Sequence, residues 1–310
     1  MLKAKTVLCP TDFSQCSDAA LPVAAAWARE LNADLHLFHV LELHGEGDED
    51  AAMEDLEKRG SSLPSLPTPP RCAISRSVGA APAILNYADE HQVDLVVMST
   101  HGRRGLRRFF LGSVTEELVQ RSHCPIVTVR NESRGRDSGC PRRILVPLDL
   151  STHSTVALTH AKHLAASAKA ELQMLHVLVR PSFPAHYEAL GAPDLYTDTS
   201  RLHSESEVAL EQLYRTSEGP EGLFSVEVVG GLAVDEILRF AAENQSDLIV
   251  LGSHGLTGIS HLFLGSVAEK VLRQASCPVL TIKVFGKSMV SDGNRPSRDQ
   301  SSNRLGDAHG

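Results

Sequence analysis

The sequence repeats itself, and the repeated unit is long. Residues 94–129 (DLVVMSTHGRRGLRRFFLGSVTEELVQRSHCPIVTV) align without gaps on residues 247–282 (DLIVLGSHGLTGISHLFLGSVAEKVLRQASCPVLTI), with 15 of the 36 positions identical. The copies also match at their starts, Val7-Leu8-Cys9-Pro10-Thr11-Asp12 against Ile144-Leu145-Val146-Pro147-Leu148-Asp149, and His39-Val40 falls on His176-Val177. The offset grows from 137 to 153 between these blocks, so the second copy carries about sixteen extra residues near its middle. Solenoid repeats run about 20–50 residues, so a unit of this length is a duplicated domain. The expected organisation is a first domain at 1–131, a linker at 132–141 within the polar stretch NESRGRDSGC, and a second domain at 142–285. The remaining residues, 286–310, are mostly Ser, Asp, Arg and Asn and are expected to form a disordered tail.

Composition narrows the class. The chain is 42% hydrophobic but only 5% aromatic, which is enough to fill sizeable cores with Ala, Val and Leu. A formal net charge of -8 argues against general binding of nucleic acid or an anionic membrane. No apolar run approaches the roughly 18 residues a membrane span needs. The start, MLKAKTVLCP, has no signal-peptide core followed by a small-residue cleavage site. Six cysteines in a chain this long do not make a disulfide framework. The expectation is a soluble, cytoplasmic α/β protein.

Within each copy, strand-like runs alternate with helical patterns. The runs are 5–9, 35–40, 72–78, 95–99 and 126–129, then 144–147, 171–177, 224–229, 248–252 and 279–284. After the first run, Leu21, Ala24, Ala28 and Leu31 recur at helical spacing, matched by Leu158, Ala161, Ala165 and Ala168 in the second copy. Pro22 lies early in the first of these helices, where it costs least but is expected to bend it. The acidic stretch EGDEDAAMEDLE and the Pro-rich SSLPSLPTPP that follows predict a short helix and a loose loop. Alternation of this kind implies a parallel sheet covered on both faces, with ligands at the carboxyl ends of strands where the strand order reverses.

The glycines fall at that location. The fourth strand of copy two runs into Gly252-Ser253-His254-Gly255, and after nine residues that include Gly258 comes Gly265-Ser266-Val267. Copy one has Ser99-Thr100-His101-Gly102, nine residues including Gly105, then Gly112-Ser113-Val114. Ser266 with Glu269, and Ser113 with Glu116, predict capping boxes at helix starts. Glycines let the backbone approach a ligand and turn N–H groups toward it, and a helix N-terminus adds unsatisfied donors and partial positive charge. The combination is a phosphate cradle that needs no basic side chain.

The same constellation resembles the universal stress protein family in its tandem-domain form. The family's nucleotide signature, G-x2-G-x9-G-[S/T], is met in full by Gly252, Gly255, Gly265 and Ser266; in copy one Ser99 replaces the first glycine. The resemblance also covers the Pro-x-Asp after the first strand, the His-Val of the second, and Cys124-Pro125 and Cys277-Pro278 before the last. It implies two five-stranded parallel sheets of order 3-2-1-4-5 sandwiched by helices, an adenine nucleotide alpha-hydrolase-like fold. The last strands, around Val127–Val129 and Leu280–Val284, would then pair to make one chain a pseudo-dimer. It further implies ATP, with or without Mg²⁺, as ligand. Pro10, Thr11, Asp12 and Val40 in copy one, and Pro147, Asp149 and Val177 in copy two, would lie by the adenine. Gly102, Gly112, Ser113 and Val114 would hold ribose and phosphates in copy one, with Ser99, His101 and Gly105 also expected among the nucleotide-binding residues. Gly252, Gly255, Gly265, Ser266 and Val267 would do so in copy two, with Ser253, His254 and Gly258 also expected among the nucleotide-binding residues. His101 and His254 either act as acid or base or orient the loop. The implied role is a non-enzymatic, nucleotide-dependent stress-response regulator or adaptor acting on a second copy or a protein partner. The alternatives are a slow ATPase or adenylyl-transfer enzyme at the same cradle, or a nucleotide-free tandem scaffold.

Several residues carry two readings. Ser99 is costly if its position needs positive φ and harmless if only its N–H is used. Asp12 and Asp149 either coordinate Mg²⁺ or cap the following helix. Arg103, Arg104, Arg107 and Arg108 either strengthen triphosphate binding or form a solvated basic face. His153, His160 and His163 share a helix face but lack the carboxylate or Cys that would complete a metal site. Cys9, Cys124 and Cys277 read as buried inert thiols, and Cys16, Cys72 and Cys140 as more exposed ones without a redox pairing. Gly286-Lys287-Ser288 looks like the end of a phosphate loop, but Thr281 stands where the first glycine is required.

Overall fold

A computed structural model describes residues 2–64, 66–100, 111–130, 141–179, 199–253, 264–284 and 286–290. Copy one consists of β1 (Thr6–Thr11), α1 (Gln15–Asp18), α2 (Ala20–Leu31), β2 (Asp34–Glu42), α3 (Glu49–Ser61), β3 (Arg71–Ser77), α4 (Ala80–Glu90), β4 (Leu95–Ser99), α5 (Ser113–Arg121) and β5 (Ile126–Val129). Copy two consists of β6 (Arg143–Pro147), α6 (Thr152–Ala168), β7 (Glu171–Val179), α7 (Thr199–Thr216), β8 (Phe224–Gly231), α8 (Ala233–Glu243), β9 (Leu248–Gly252), α9 (Ser266–Gln274) and β10 (Val279–Ile282).

All ten strands form one sheet in the order β3-β2-β1-β4-β5-β10-β9-β6-β7-β8. Each half is therefore the expected 3-2-1-4-5, parallel throughout, and the halves meet antiparallel where Val279, Leu280 and Thr281 pair with Thr128, Val127 and Ile126. Leu280 and Val127 are equivalent positions of the repeat, so a pseudo-two-fold axis passes through that rung.

The sheet has a core on each face, and strand periodicity sorts residues between them. Val7 and Cys9 pack with Ala24 and Ala28 of α2 and Leu56 of α3, whereas Leu8 packs on the other side with Ile84 of α4 and Leu118 of α5. In copy two Ile144 and Val146 join Leu158 of α6 and Tyr214 of α7, and Leu145 joins Ile237 of α8 and Val271 of α9. Each core runs continuously through both copies, and each large side chain fully buried contributes about 1.5–3 kcal/mol.

The first helical segment differs between the copies. Copy two has one helix, α6, capped by Ser151, whose hydroxyl accepts from the Ser154 amide. In copy one the same stretch splits into α1 and α2 around Ala19, whose amide donates to the Cys16 carbonyl at 3.2 Å. Pro22 explains the split: it has no N–H for the Asp18 carbonyl four residues back, and its ring crowds that carbonyl. It sits instead in the first turn of α2, where no such bond is needed. The acidic stretch forms α3, capped by Asp48, which accepts from the Asp50 and Ala51 amides.

The expected tail needs correction at its start. Residues 286–290 are packed, with Met289 0% and Val290 7% exposed and Leu2 bridged to Val290. Two apolar side chains and two backbone hydrogen bonds to copy one outweigh the polar look of the segment. The remainder, 291–310, and residues 132–140 of the expected linker at 132–141 lie outside the described residues.

Candidate functional site

The predicted site residues that are described converge on one pole of each half-sheet, the carboxyl ends of the strands. There the outgoing directions diverge: β1 is flanked by β2 on one side and β4 on the other. β1 pairs with β2 along its whole length, from Thr6–Asp34 to Thr11–His39, but with β4 only at Val7–Leu95 and Leu8–Val96. Copy two repeats the pattern, with β6 and β9 paired only at Ile144–Leu248 and Leu145–Ile249. Beyond those rungs the ladder stops, so the two strands part toward their carboxyl ends at the topological switch point.

Pro10 and Thr11 end β1, Pro147 ends β6, and the turns that follow are built alike. Asp12 Oδ1 accepts from the Ser14 amide at 3.0 Å, and Asp149 Oδ1 from the Ser151 amide at 3.0 Å. These Asx turns hold the intervening Phe13 and Leu150 at φ 63° and 62°, a left-handed conformation that bulky residues rarely adopt. The expectation that Asp caps the helix is corrected: Ser14 and Ser151 are the caps, accepting from the Ser17 and Ser154 amides at 3.2 Å. Asp12 and Asp149 shape the turn instead.

Two residues contribute that the sequence offered only as landmarks. His39 Nδ1 lies 2.7 Å from the Thr11 carbonyl and His176 Nδ1 2.7 Å from the Leu148 carbonyl. A carbonyl only accepts, so in each case Nδ1 carries the hydrogen. The imidazole ties the second strand to the end of the first and fixes the turn beside it. Val40 and Val177 follow these histidines, both half-buried, and each strand continues two residues past them.

The glycine loop is described at its stems. In copy one the Gly112 amide donates to the Thr100 carbonyl at 2.9 Å, and the Thr100 amide to Val129 at 3.0 Å. In copy two Gly265 donates to Ser253 at 2.9 Å, and Ser253 to Ile282 at 2.8 Å. Each loop thus leaves and re-enters at a closed neck. His101, Gly102, Gly105, His254, Gly255 and Gly258, together with the four arginines of copy one, lie outside the described residues.

The predicted capping boxes are corrected. The N-caps of α5 and α9 are Gly112 and Gly265, neither with a side-chain cap, and Ser113 and Ser266 are the first helical residues. Glu269 turns instead to Arg273 in an ion pair. The helix therefore begins one residue earlier, on a residue whose own side chain cannot cap it. Val114 and Val267 follow on the half-buried side.

Ser99 and Gly252 end the fourth strand of each copy. Neither has positive φ. The glycine matters for space: a Cβ on Gly252 would stand 3.0 Å from the His153 carbonyl oxygen. Ser99 is buried, and its carbonyl accepts from the Thr115 hydroxyl at 2.9 Å.

Comparison with known proteins places this geometry. The Universal stress protein family model matches residues 3–130 and again 141–283. The chain belongs to the universal stress protein family. It is 34% identical over 142 residues to a universal stress protein of Methanocaldococcus jannaschii, covering 46% of this chain and 82% of that protein. It is 30% identical over 195 residues to one from Mycobacterium bovis, covering 62% of this chain and 63% of that protein. Among solved structures, a functionally unknown protein of Pseudomonas aeruginosa superposes with TM-score 0.64 at 19% identity, covering 90% of this chain and 92% of the other. A universal stress protein from Archaeoglobus fulgidus gives 0.57 at 20%, covering 91% and 99%. The tandem universal stress protein fold is thus one parallel-sheet α/β domain used twice.

Elsewhere in this universal stress protein, the other sequence candidates resolve. Among the described residues no group of three or more His, Cys, Asp or Glu is placed to hold a metal ion. His160 is buried, with Nδ1 2.9 Å from the Val156 carbonyl and Nε2 3.2 Å from the Ser288 hydroxyl. Cys9, Cys124 and Cys277 are buried and Cys16 and Cys72 partly so. Burial pushes the Cys9 thiol up to about 12, with the Asp18 charge adding to it, so it is inert at neutral pH. Cys140 lies outside the described residues. No helix among them is long and apolar enough to cross a membrane.

Proposed function

We propose that each copy binds an adenine nucleotide, ATP, at the carboxyl pole of its half-sheet, and that occupancy sets the conformation or partner preference of a stress-response regulator or adaptor. The observation that carries this reading is the repeated construction at the switch point. In both copies the ladder between the first and fourth strands stops short, and a closed neck delivers a helix whose N-cap is glycine. First-turn amides with a partial positive charge suit a phosphate chain, and the crevice between parting strands suits a flat base. Asp12 and Val40 in copy one, and Asp149 and Val177 in copy two, flank that crevice and would take the adenine edge and face. Mg²⁺ would arrive with the triphosphate, which needs few protein ligands for it.

The reading is one of binding rather than turnover, because the stems present backbone amides and hydroxyls, which hold charge without moving a proton. The same fit makes Ser99 compatible with a working first site, since its position needs no positive φ. Adenine nucleotide released on denaturing the purified chain, and ATP binding by calorimetry with Mg²⁺, test the reading. Gly265→Val should abolish binding at copy two, a loss of at least a hundredfold, by filling the space the phosphates need. Gly265 has φ -60° and ψ 140°, which valine adopts freely, so the fold should survive and melting should be unchanged. Unchanged binding stoichiometry in that variant would remove copy two from the proposal, and turnover of ATP well above background would replace the regulator with an enzyme.

A further inference from the structure

The segment that follows β10 leaves copy two and lies across copy one, at the pole of copy one opposite its own cradle. Lys283 Nζ donates to the Gln120 and Ser122 carbonyls at 2.7 and 2.8 Å, closing the carboxyl end of α5. The Lys287 amide donates to the His123 carbonyl at 2.5 Å, and its Nζ reaches the Gln92 carbonyl at 2.5 Å and Asp94 Oδ1 at 2.6 Å. Asp94 Oδ2 in turn accepts from the Lys5 and Thr6 amides at 2.7 and 3.1 Å, at the start of β1. Met289 is fully buried and its carbonyl accepts from the Lys3 amide at 2.6 Å. A Cβ on Gly286 would stand 2.7 Å from the His123 carbonyl oxygen, so the backbones touch there. Ser288, bonded to His160 of α6, ties the same segment back to copy two.

By contrast, the sheet contact between the copies is short and cannot choose its partner. It consists of the rungs Val279–Thr128, Leu280–Val127 and Thr281–Ile126, disposed about the pseudo-two-fold axis. Because Leu280 and Val127 are equivalent, β10 offers to a second β10 the same ladder it offers to β5. What distinguishes the partners is the segment after it. The corresponding residues of copy one, 130–137 (RNESRGRD), hold no apolar residue, and the contacts with Leu2 and Lys3 belong to copy one.

We propose that residues 283–290 are a latch that commits β10 to pair with β5 of copy one, and so keeps two chains from joining through their β10 edges. The latch draws on no residue of either glycine loop, so it stands whether or not either cradle binds ATP. Its selectivity comes from the amino-terminal edge of copy one, where Leu2 bridges Val290 and Lys3 donates to Met289, whereas the matching positions of copy two are Gly139 and Cys140. With the latch loosened, the three-rung ladder alone decides, and a second chain competes.

The axis position supplies the test. In the full chain carrying Leu280→Cys, the new thiol faces Val127 in the latched state, whereas in β10–β10 pairing it faces its own counterpart and can be oxidised to an interchain disulfide. The same substitution is introduced into chains with the latch disrupted, either by Lys287→Glu with Met289→Asp or by Gly286→Val alone, with Lys287→Arg as the conservative control. Each is matched by a chain lacking Leu280→Cys, to subtract linkage through native cysteines, and folding is checked by circular dichroism. The expected result is at least tenfold more disulfide-linked dimer in either folded disrupted chain than in the native-latch chain or the Lys287→Arg control. Equal linkage in latched and disrupted chains, whether high or absent, would overturn the latch.

Discussion

In copy two the helix after the first strand runs unbroken from Thr152 to Ala168, and its first turn presses the His153 carbonyl against the end of β9. In copy one Pro22 divides the same stretch, and the end of β4 holds the Ser99 side chain, 6% exposed. One position thus holds glycine in one copy and serine in the other, for reasons of distance rather than φ. The lesson is that a signature glycine can record how closely a neighbouring helix approaches as well as what a ligand needs. The departure of copy one from the signature is therefore compatible with a working cradle. The turn by Asp12, the imidazole bond from His39 and the neck between Thr100 and Gly112 all match their partners in copy two.

The comparison can be broken where the two helices differ most. Thr159 occupies in α6 the place Pro22 holds in copy one, but as an interior residue of an unbroken helix. Thr159→Pro should lower stability by about 3 kcal/mol or more in chemical denaturation, through a lost bond and a ring clash. Pro22→Ala should change stability far less, because its helix already begins without that bond. Equal costs would contradict the account of the split.

A smaller effect is expected at the strand ends. Gly252→Ser should cost about 1–3 kcal/mol, since its Cβ meets the His153 carbonyl and α6 has to shift. Ser99→Gly should cost only about 0.5–1 kcal/mol, the ordinary entropy of glycine in a strand. Reversal of that order, read from paired melts, would return the glycine to a requirement of conformation.

The last difference is a slope, and it belongs to one copy only. Burial pulls the Lys283 ammonium down to about 8 from 10.5, with the neighbouring Cys124 thiol working the other way. Below pH 8 both folded and unfolded chains hold the proton, and the folded one bears the burial cost. Between about 8 and 10.5 only the unfolded chain still holds it, so this group makes stability rise with pH across that window. The difference in stability between the native chain and Lys283→Met should grow in favour of the native chain from pH 8 to 10. Parallel pH profiles would show that the ammonium is not buried as described.

Much of the fold was legible because it is written twice in patterns with few solutions. The runs at 95–99, 126–129 and 248–252 are strands β4, β5 and β9 to the residue, and the order 3-2-1-4-5 and the β5–β10 junction follow from the family resemblance. What stayed hidden depends on contacts distant in sequence. Ser113 and Ser266 look like caps because Ser followed by Glu is a local signal, yet the neck bonds to Thr100 and Ser253 start each helix on the preceding glycine. Residues 286–290 read as solvated tail because their partners, at Lys3, Gln92 and His123, lie more than 160 residues away. His39 and His176 were visible as a repeated pair, but their bond to the end of the first strand exists only once the sheet is assembled. The rest of the candidate site, at His101, Gly102, His254 and Gly255, lies outside the described residues.

The central claim is that the repeated cradle is a nucleotide site in both copies, and counting nucleotide per chain tests it most directly. Calorimetric titration of nucleotide-free protein with ATP and Mg²⁺, paired with chromatography of what the native chain releases on denaturation, should give two adenine nucleotide sites per chain and one in Gly265→Val. No adenine nucleotide released, together with no heat of binding, would contradict the account.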